Sequence, residues 1–145
     1  MALKTITGAN AIYMLGVTSV FPTPVQLQGF AADDVFDTDV LESAEVLMGV
    51  DGIMSGGFVF VPVKQNVTLQ ADSDSNDVFD AWWQAMQTSR EMFYANATIT
   101  IRAVGKKFTL TKGALTGYKP IPDTKKLLQP RKFSITWNTV APAAA

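Results

Sequence analysis

The sequence predicts a mainly β protein: a sandwich or barrel of about seven mostly antiparallel strands with one α-helix packed on it. Three observations carry this. Along Val59 to Ala71 the residues Val59, Val61, Val63, Val67, Leu69 and Ala71 share one parity, broken only by Gln65, while Lys64, Asn66, Thr68 and Gln70 hold the other. Period-two alternation is the mark of a strand with one buried face. The same alternation returns at Ala95, Ala97, Ile99, Ile101 and Ala103, and again at Phe133, Ile135 and Trp137. Finally, Val78, Phe79, Trp82, Trp83 and Met86 follow at helical spacing, and no other convincing helix exists in the chain. A lone helix with this aromatic face should lie across the sheet and plug its open side.

The elements then read in order. Asn10 to Val20 is apolar on both parities, so both faces of that strand should be covered. Phe21-Pro22-Thr23-Pro24 ends it, because neither proline can donate to a ladder, and Val25 to Phe30 forms a short strand. Gly29 to Asp39 is an acidic loop whose Phe30, Val35 and Phe36 a purely solvated loop would not need. Ala44, Val46, Met48 and Val50 alternate as a strand, Asp51-Gly52 is a tight turn, and Ser55-Gly56-Gly57 leads back to a long central strand over Phe58–Ala71. At 3.4 Å per residue that strand would span roughly 45 Å.

The hinge Asp72 to Ser75 offers N-cap candidates, and Asp77 and Asp80 fall in the first turn of a helix over Asn76–Met92. Gly105-Lys106 suits a two-residue hairpin turn, and the irregular parity at Gly113-Ala114-Leu115 predicts a β-bulge. Pro120 to Pro130 is a basic loop. One domain is expected over residues 1–145, with a folded core over 10–140, a long loop region over 29–57 and a flexible tail over 141–145.

A chain of 145 residues can bury a sizeable core, and its net charge of −1 argues against generic nucleic-acid affinity. The charge is unevenly placed. Lys4 is the only base before Lys64, against Asp33, Asp34, Asp37, Asp39, Glu42, Glu45 and Asp51 in the same half. From Arg102 to Lys132 the single acid Asp123 stands among Lys and Arg. With no cysteine and no histidine, disulfides, thiol chemistry, Cys/His zinc sites and histidine triads are excluded. The uncharged stretch from Thr5 to Ala32 carries Thr, Ser, Asn, Gln and two prolines, too polar for the run of about 20 apolar residues a membrane span needs. Its apolar segment AIYMLGV is short and broken by Gly16, a poor signal peptide, so no membrane anchor and synthesis in the cytoplasm are expected.

No chemistry stands out. Acids clustered in one loop usually form a solvated face rather than a glycosidase pair. Asp72, Asp74, Asp77 and Asp80 lack the glycine and distal glutamate of a calcium loop, and helix capping accounts for them. Gly56-Gly57 is followed by neither Lys-Ser/Thr nor a helix, so it is no phosphate loop. Trp82 is expected in the core, whereas the adjacent Trp83 would reach a subunit interface. The expectation is a non-enzyme with no catalytic residue, cofactor or metal.

The run SGGFVFVPVKQNVTLQADSDSNDVFDAWW, a Gly-bounded strand with a polar exit, an Asp/Ser/Asn cap and an aromatic helix, resembles the tail tube proteins of contractile-tailed bacteriophages. The type VI secretion tube protein shares that architecture. The resemblance implies a small β-barrel-like subunit, forming hexameric rings that stack into a hollow tube in the virion. Its partners would be further copies of itself, the tail sheath protein outside, the tape measure protein and DNA transiently in the lumen, and baseplate proteins. A baseplate or tail-terminator ring protein of the same fold, or a monomeric β-sandwich binding module, is the alternative. Candidate interface residues are Phe30, Asp33, Asp34, Val35, Phe36, Asp37 and Asp39 in the acidic loop, Phe58 and Phe60 on the central strand, and Lys125, Lys126, Arg131 and Lys132 in the basic segment. The acidic loop would line the lumen, keeping DNA off the wall, or meet the basic segment of a neighbour, or be a solvated loop with no role. Its apolar residues favour the second, since apolar side chains suit a docked interface better than an aqueous channel.

Overall fold

A computed structural model describes residues 11–18, 20–28, 30, 36–38, 40–102 and 104–144. In chain order the elements are β1 (Ala11–Val17), β2 (Phe21–Gln26), β3 (Phe36–Thr38), β4 (Ala44–Met48), β5 (Met54–Phe58), β6 (Val63–Leu69), α1 (Asn76–Ser89), β7 (Ala95–Ile101), β8 (Lys106–Gly117) and β9 (Arg131–Ala144). Seven strands form one sheet in the order β2-β1-β7-β8-β9-β6-β3, and β4 with β5 forms a separate ribbon. All the pairings are antiparallel. The mainly β fold with one packed helix is therefore as expected, with the added strands coming from the region read as loop.

The sheet curls until its two ends meet through side chains. The Tyr13 ring on β1 contacts Phe36 on β3 edge-on at 5.5 Å, and Phe30 lies 6.5 Å away. No ladder joins these ends among the described residues, so the molecule is a sandwich-like roll rather than a closed barrel. One parity of each strand faces inward: Tyr13, Leu15 and Val17; Val63, Val67 and Leu69; Ala95, Ala97 and Ile99; Phe133, Ile135 and Trp137 are all buried. Gln65, the apparent break in the alternation, points inward too. Its Oε1 accepts from Tyr13 Oη at 2.6 Å and from Trp137 Nε1 at 3.1 Å, which makes it the polar centre of the core.

The helix closes the end of the roll where β6 finishes. Phe79 stacks on Phe133 at 4.2 Å, and Trp82, fully buried, donates through Nε1 to the Phe93 carbonyl at 2.8 Å. It stops at Ser89 rather than Met92, because Arg90 takes a left-handed conformation (φ 58°) and its N–H bonds the Met86 carbonyl. The N-cap position is Ser75, and it makes no side-chain cap. Asn76, Asp77 and Val78 already donate to the carbonyls of Ser73, Asp74 and Ser75 in the preceding turn, so carboxylate caps from Asp72 or Asp74 are redundant. Asp80 is not a first-turn dipole residue but an ion-pair partner of Arg131.

Several boundaries differ from the sequence reading. The long strand over Phe58–Ala71 is two strands, β5 and β6, separated at Val59–Pro62, where Pro62 has no N–H to give a ladder. Pro22 and Pro24 lie inside β2 rather than ending a strand, which is tolerated because β2 is a sheet edge. The region 29–57 is not simply loop, since it contains β3, β4 and most of β5. The β7–β8 turn spans the four residues between Ile101 and Lys106, with Gly105 (φ 67°) last. The predicted bulge exists but centres on Lys112 (φ 51°), next to Gly113, over which Trp137 packs. Ala141–Ala144, read as part of a flexible tail, continues β9 and pairs with Lys106–Thr109.

Candidate assembly surfaces

The ribbon of β4 and β5 is an arm. It leaves the roll after Leu41 and returns at Val59, where the Val59 N–H bonds the Ser43 carbonyl at 2.7 Å and closes its base. Ala44 pairs with Phe58 and Met48 with Met54. The tip is the predicted turn. Gly52 supplies the positive φ (84°), and Asp51 Oδ1 accepts from the Ile53 N–H at 3.1 Å. Every residue of both strands is exposed, although Val46, Leu47, Met48, Met54 and Phe58 are apolar, with Val50 and Ile53 at the tip and Phe60 (91% exposed) behind. A two-stranded hairpin is marginal alone in water, and this one offers its apolar side chains to solvent.

Among the described residues, the interior at the end of the roll opposite the helix is not filled. A cavity of about 420 Å³ opens there, lined chiefly by Phe36, Leu41, Val63, Ile99, Ile101, Phe108, Leu110, Val140 and Pro142, with Asp37, Thr38 and Gln65 as the polar contribution. The alternation puts Val63, Ile99, Ile101, Phe108 and Leu110 inward, whereas Phe36, Leu41, Gln65, Val140 and Pro142 carry no such signal. Among the described residues the mouth stays open because the strands on either side of it differ in length.

The candidate residues fall into distinct groups. Phe58 and Phe60 are exposed and pack edge-on against each other at 5.0 Å. Phe30 and Phe36 instead pack on Tyr13 and on each other, so part of their apolar surface is covered within the chain, while Phe36 also lines the mouth. Asp37 is exposed at the mouth and accepts from Asn66 Nδ2 at 2.9 Å. Asp33, Asp34, Val35 and Asp39 lie outside the described residues. Lys125, Lys126 and Lys132 are exposed.

Arg131 is not. Its side chain is buried and bonds Asp80 Oδ1 at 2.7 Å, the Lys119 carbonyl at 2.9 Å and the Pro120 carbonyl at 3.3 Å, so it pins the start of the basic loop to α1. Tyr118 donates to the same Asp80 carboxylate, and Trp83 stacks on Tyr118 at 5.0 Å. Trp83 is thus half covered by its own chain. Desolvation raises the Asp80 pKa, but hydrogen bonds from Arg131 and Tyr118 and the guanidinium charge outweigh it and hold the carboxyl below its usual range. Among the described residues no group of three or more acidic side chains converges as a metal site would require.

Three solved structures share this fold. A chain of the PVC extracellular contractile injection system sheath/tube terminator matches with TM-score 0.66 at 11% identity, covering 99% of this chain and 100% of that one. A chain of the anti-feeding prophage baseplate matches with TM-score 0.62 at 7% identity, covering 99% and 98%. A chain of the PVC sheath–tube complex matches with TM-score 0.56 at 10% identity, covering 92% and 88%. At these identities the likeness concerns the fold. No curated protein matches the sequence. By description the family and structures matched are structural components, and the chain is a structural protein rather than an enzyme. Residues 4–141 match the family model described as Tail fiber protein gp32, and with nearly its whole length inside that match the chain belongs to this family.

Proposed function

We propose that this chain is a tail tube subunit, assembling into hexameric rings that stack into the hollow conduit for genome delivery. It would be made in the host cytoplasm and work in the virion. The sheath would lie outside the tube, the tape measure protein and DNA would occupy the lumen transiently, and baseplate proteins would sit at its end. The observation that carries the reading is the β4–β5 arm: apolar on both strands, exposed throughout, and standing on a fold found in contractile injection assemblies. Apolar surface of this extent marks an interface. Phe58 and Phe60 belong to it. Lys125, Lys126 and Lys132 would steer neighbours into register against the acidic segment holding Asp33, Asp34, Asp37 and Asp39. With Phe30 and Phe36 packed on Tyr13, the competing reading, in which those acids line the lumen, no longer conflicts with their apolar neighbours.

A second reading, a single terminator or baseplate ring, is favoured by the higher fold likeness to the terminator chain than to the sheath–tube chain. Electron microscopy of the purified protein over a rising concentration series tests both. Stacked tubes support the first reading and isolated rings the second. Monomers at every concentration refute assembly.

A further inference from the structure

We propose that the free edge of β9 over Asn138–Ala144 receives the β4–β5 arm of a second copy as an added strand, whose side chains cover the open mouth. This rests on the assembly reading above and names the surface on which the arm lands.

The edge exists because two neighbours of β9 have unequal lengths. β8 pairs with β9 from Gly117↔Ser134 to Lys106↔Ala144. On the other side β6 reaches only Val63↔Trp137. Its upstream continuation would pair Pro62 with Asn138, but Pro62 has no N–H, and the chain departs there into the arm. Among the described residues, the backbone of Asn138–Ala144 therefore has a strand on one side only. Such an edge is a template for a strand from another chain, and natural proteins usually cover it. Pro142 withholds one donor, so the new ladder would be short. Side-chain burial has to supplement it.

That burial is available. Val140 and Pro142 on this edge line the 420 Å³ mouth together with Ile101 and Phe108. A strand laid beside them would close the cavity from the side that β6 leaves open. Charge selects the occupant. Between Val40 and Phe60 the arm carries Glu42, Glu45 and Asp51 and no base, while Lys106 and Lys107 are exposed beside Ala144 and Ala143. Arm on edge joins opposite charges, whereas arm on arm would set acid against acid. Donor and acceptor are different patches of one molecule, so the contact is head-to-tail and each copy can give and receive once. Such contacts close into rings or continue as stacks.

The absence of cysteine makes the test clean. Single variants Val46→Cys, Leu47→Cys and Met48→Cys, carrying a size tag, are each mixed with untagged Thr139→Cys under assembling conditions and oxidised. Docking should raise the local thiol concentration, so at least one arm position links to Thr139→Cys roughly 10²-fold faster than to Lys126→Cys. If rings or tubes form but the arm thiols link only to one another or to Lys126→Cys, the inference falls while assembly stands. A doubly substituted chain that links only within itself also overturns it. Protein that stays monomeric in the microscope and never cross-links overturns both.

Discussion

Removing the carboxamide of Gln65 should destabilise the subunit more than its single position suggests. Gln65, Tyr13 and Trp137 are each at most 1% exposed, and Gln65 Oε1 is the acceptor for both Tyr13 Oη and Trp137 Nε1. Gln65→Leu keeps the volume but leaves two buried donors without a partner. Each orphaned donor costs about 1–3 kcal/mol, so the variant should lose roughly 2–6 kcal/mol. Tyr13→Phe removes one donor and leaves the oxygen bonded to Trp137, for a loss of about 1 kcal/mol. Once Leu occupies position 65 the tyrosine hydroxyl is a liability, so the double variant should be more stable than the sum of the single losses predicts. Urea unfolding followed by tryptophan fluorescence reads this directly. It should be run at low protein concentration, since association adds to apparent stability. A Gln65→Leu variant within about 0.5 kcal/mol of the parent, the range of an ordinary surface change, would refute the polar centre. Strict additivity in the cycle would do the same.

Other changes have defined outcomes. Trp82→Ala should cost about 3–5 kcal/mol by opening the core under α1, and an unchanged melting temperature would show the tryptophan to be peripheral. Gly113→Ala would set a Cβ into the Trp137 ring, so a loss of about 1–3 kcal/mol is expected, seen as a lower urea midpoint. Asp80 titrates lower in the folded chain than unfolded, so the unfolded state takes up the proton first as pH falls. Its contribution is complete above the unfolded value of about 3.9 and fades as pH drops through the folded one. Asp80→Asn should therefore flatten the acid limb of a melting-temperature profile. Phe58→Asp with Phe60→Asp should leave the circular dichroism and melting of the monomer unchanged while abolishing assembly in the microscope.

The strands that face water on one side were legible because each has a clean period of two: β6, β7 and the first half of β9 fall where the alternation places them. What the sequence concealed follows from neighbours. The alternation of Val59 and Val61 with Val63 is genuine, but Pro62 and the departing arm end the ladder, and periodicity carries no information about where a strand loses its partner. Ala141–Ala144 looked like a tail because small residues carry little pattern, yet β8 pairs with them in its ladder. Gln65 looked like an interruption because its partners Tyr13 and Trp137 are far away in the chain. The arm did leave a signal. Val46-Leu47-Met48 is apolar on both parities, as is Ile53-Met54, in a ribbon that no other described residue covers.

On the proposed assembly the two ends of the roll have opposite tasks, and this decides which substitutions affect stability and which affect assembly. At the helix end Phe79, Trp82 and Phe133 are fully buried, and the Arg131–Asp80 pair ties the basic loop to α1. Changes there should unfold the monomer at any concentration. At the other end the exposed arm contributes little to the isolated fold, since its apolar side chains are already in contact with water. Their favourable burial comes only on association, at about 25 cal/mol per Å² of apolar area covered before the entropic cost of docking. Substitutions at Val46, Leu47, Phe58 and Phe60 should therefore shift the concentration at which the proposed assembly forms and leave the unfolding of the monomer in place. Were Leu47→Asp instead to lower monomer stability as much as Trp82→Ala does, the arm would have to be folded onto its own subunit in solution, and the separation of the two ends would be wrong.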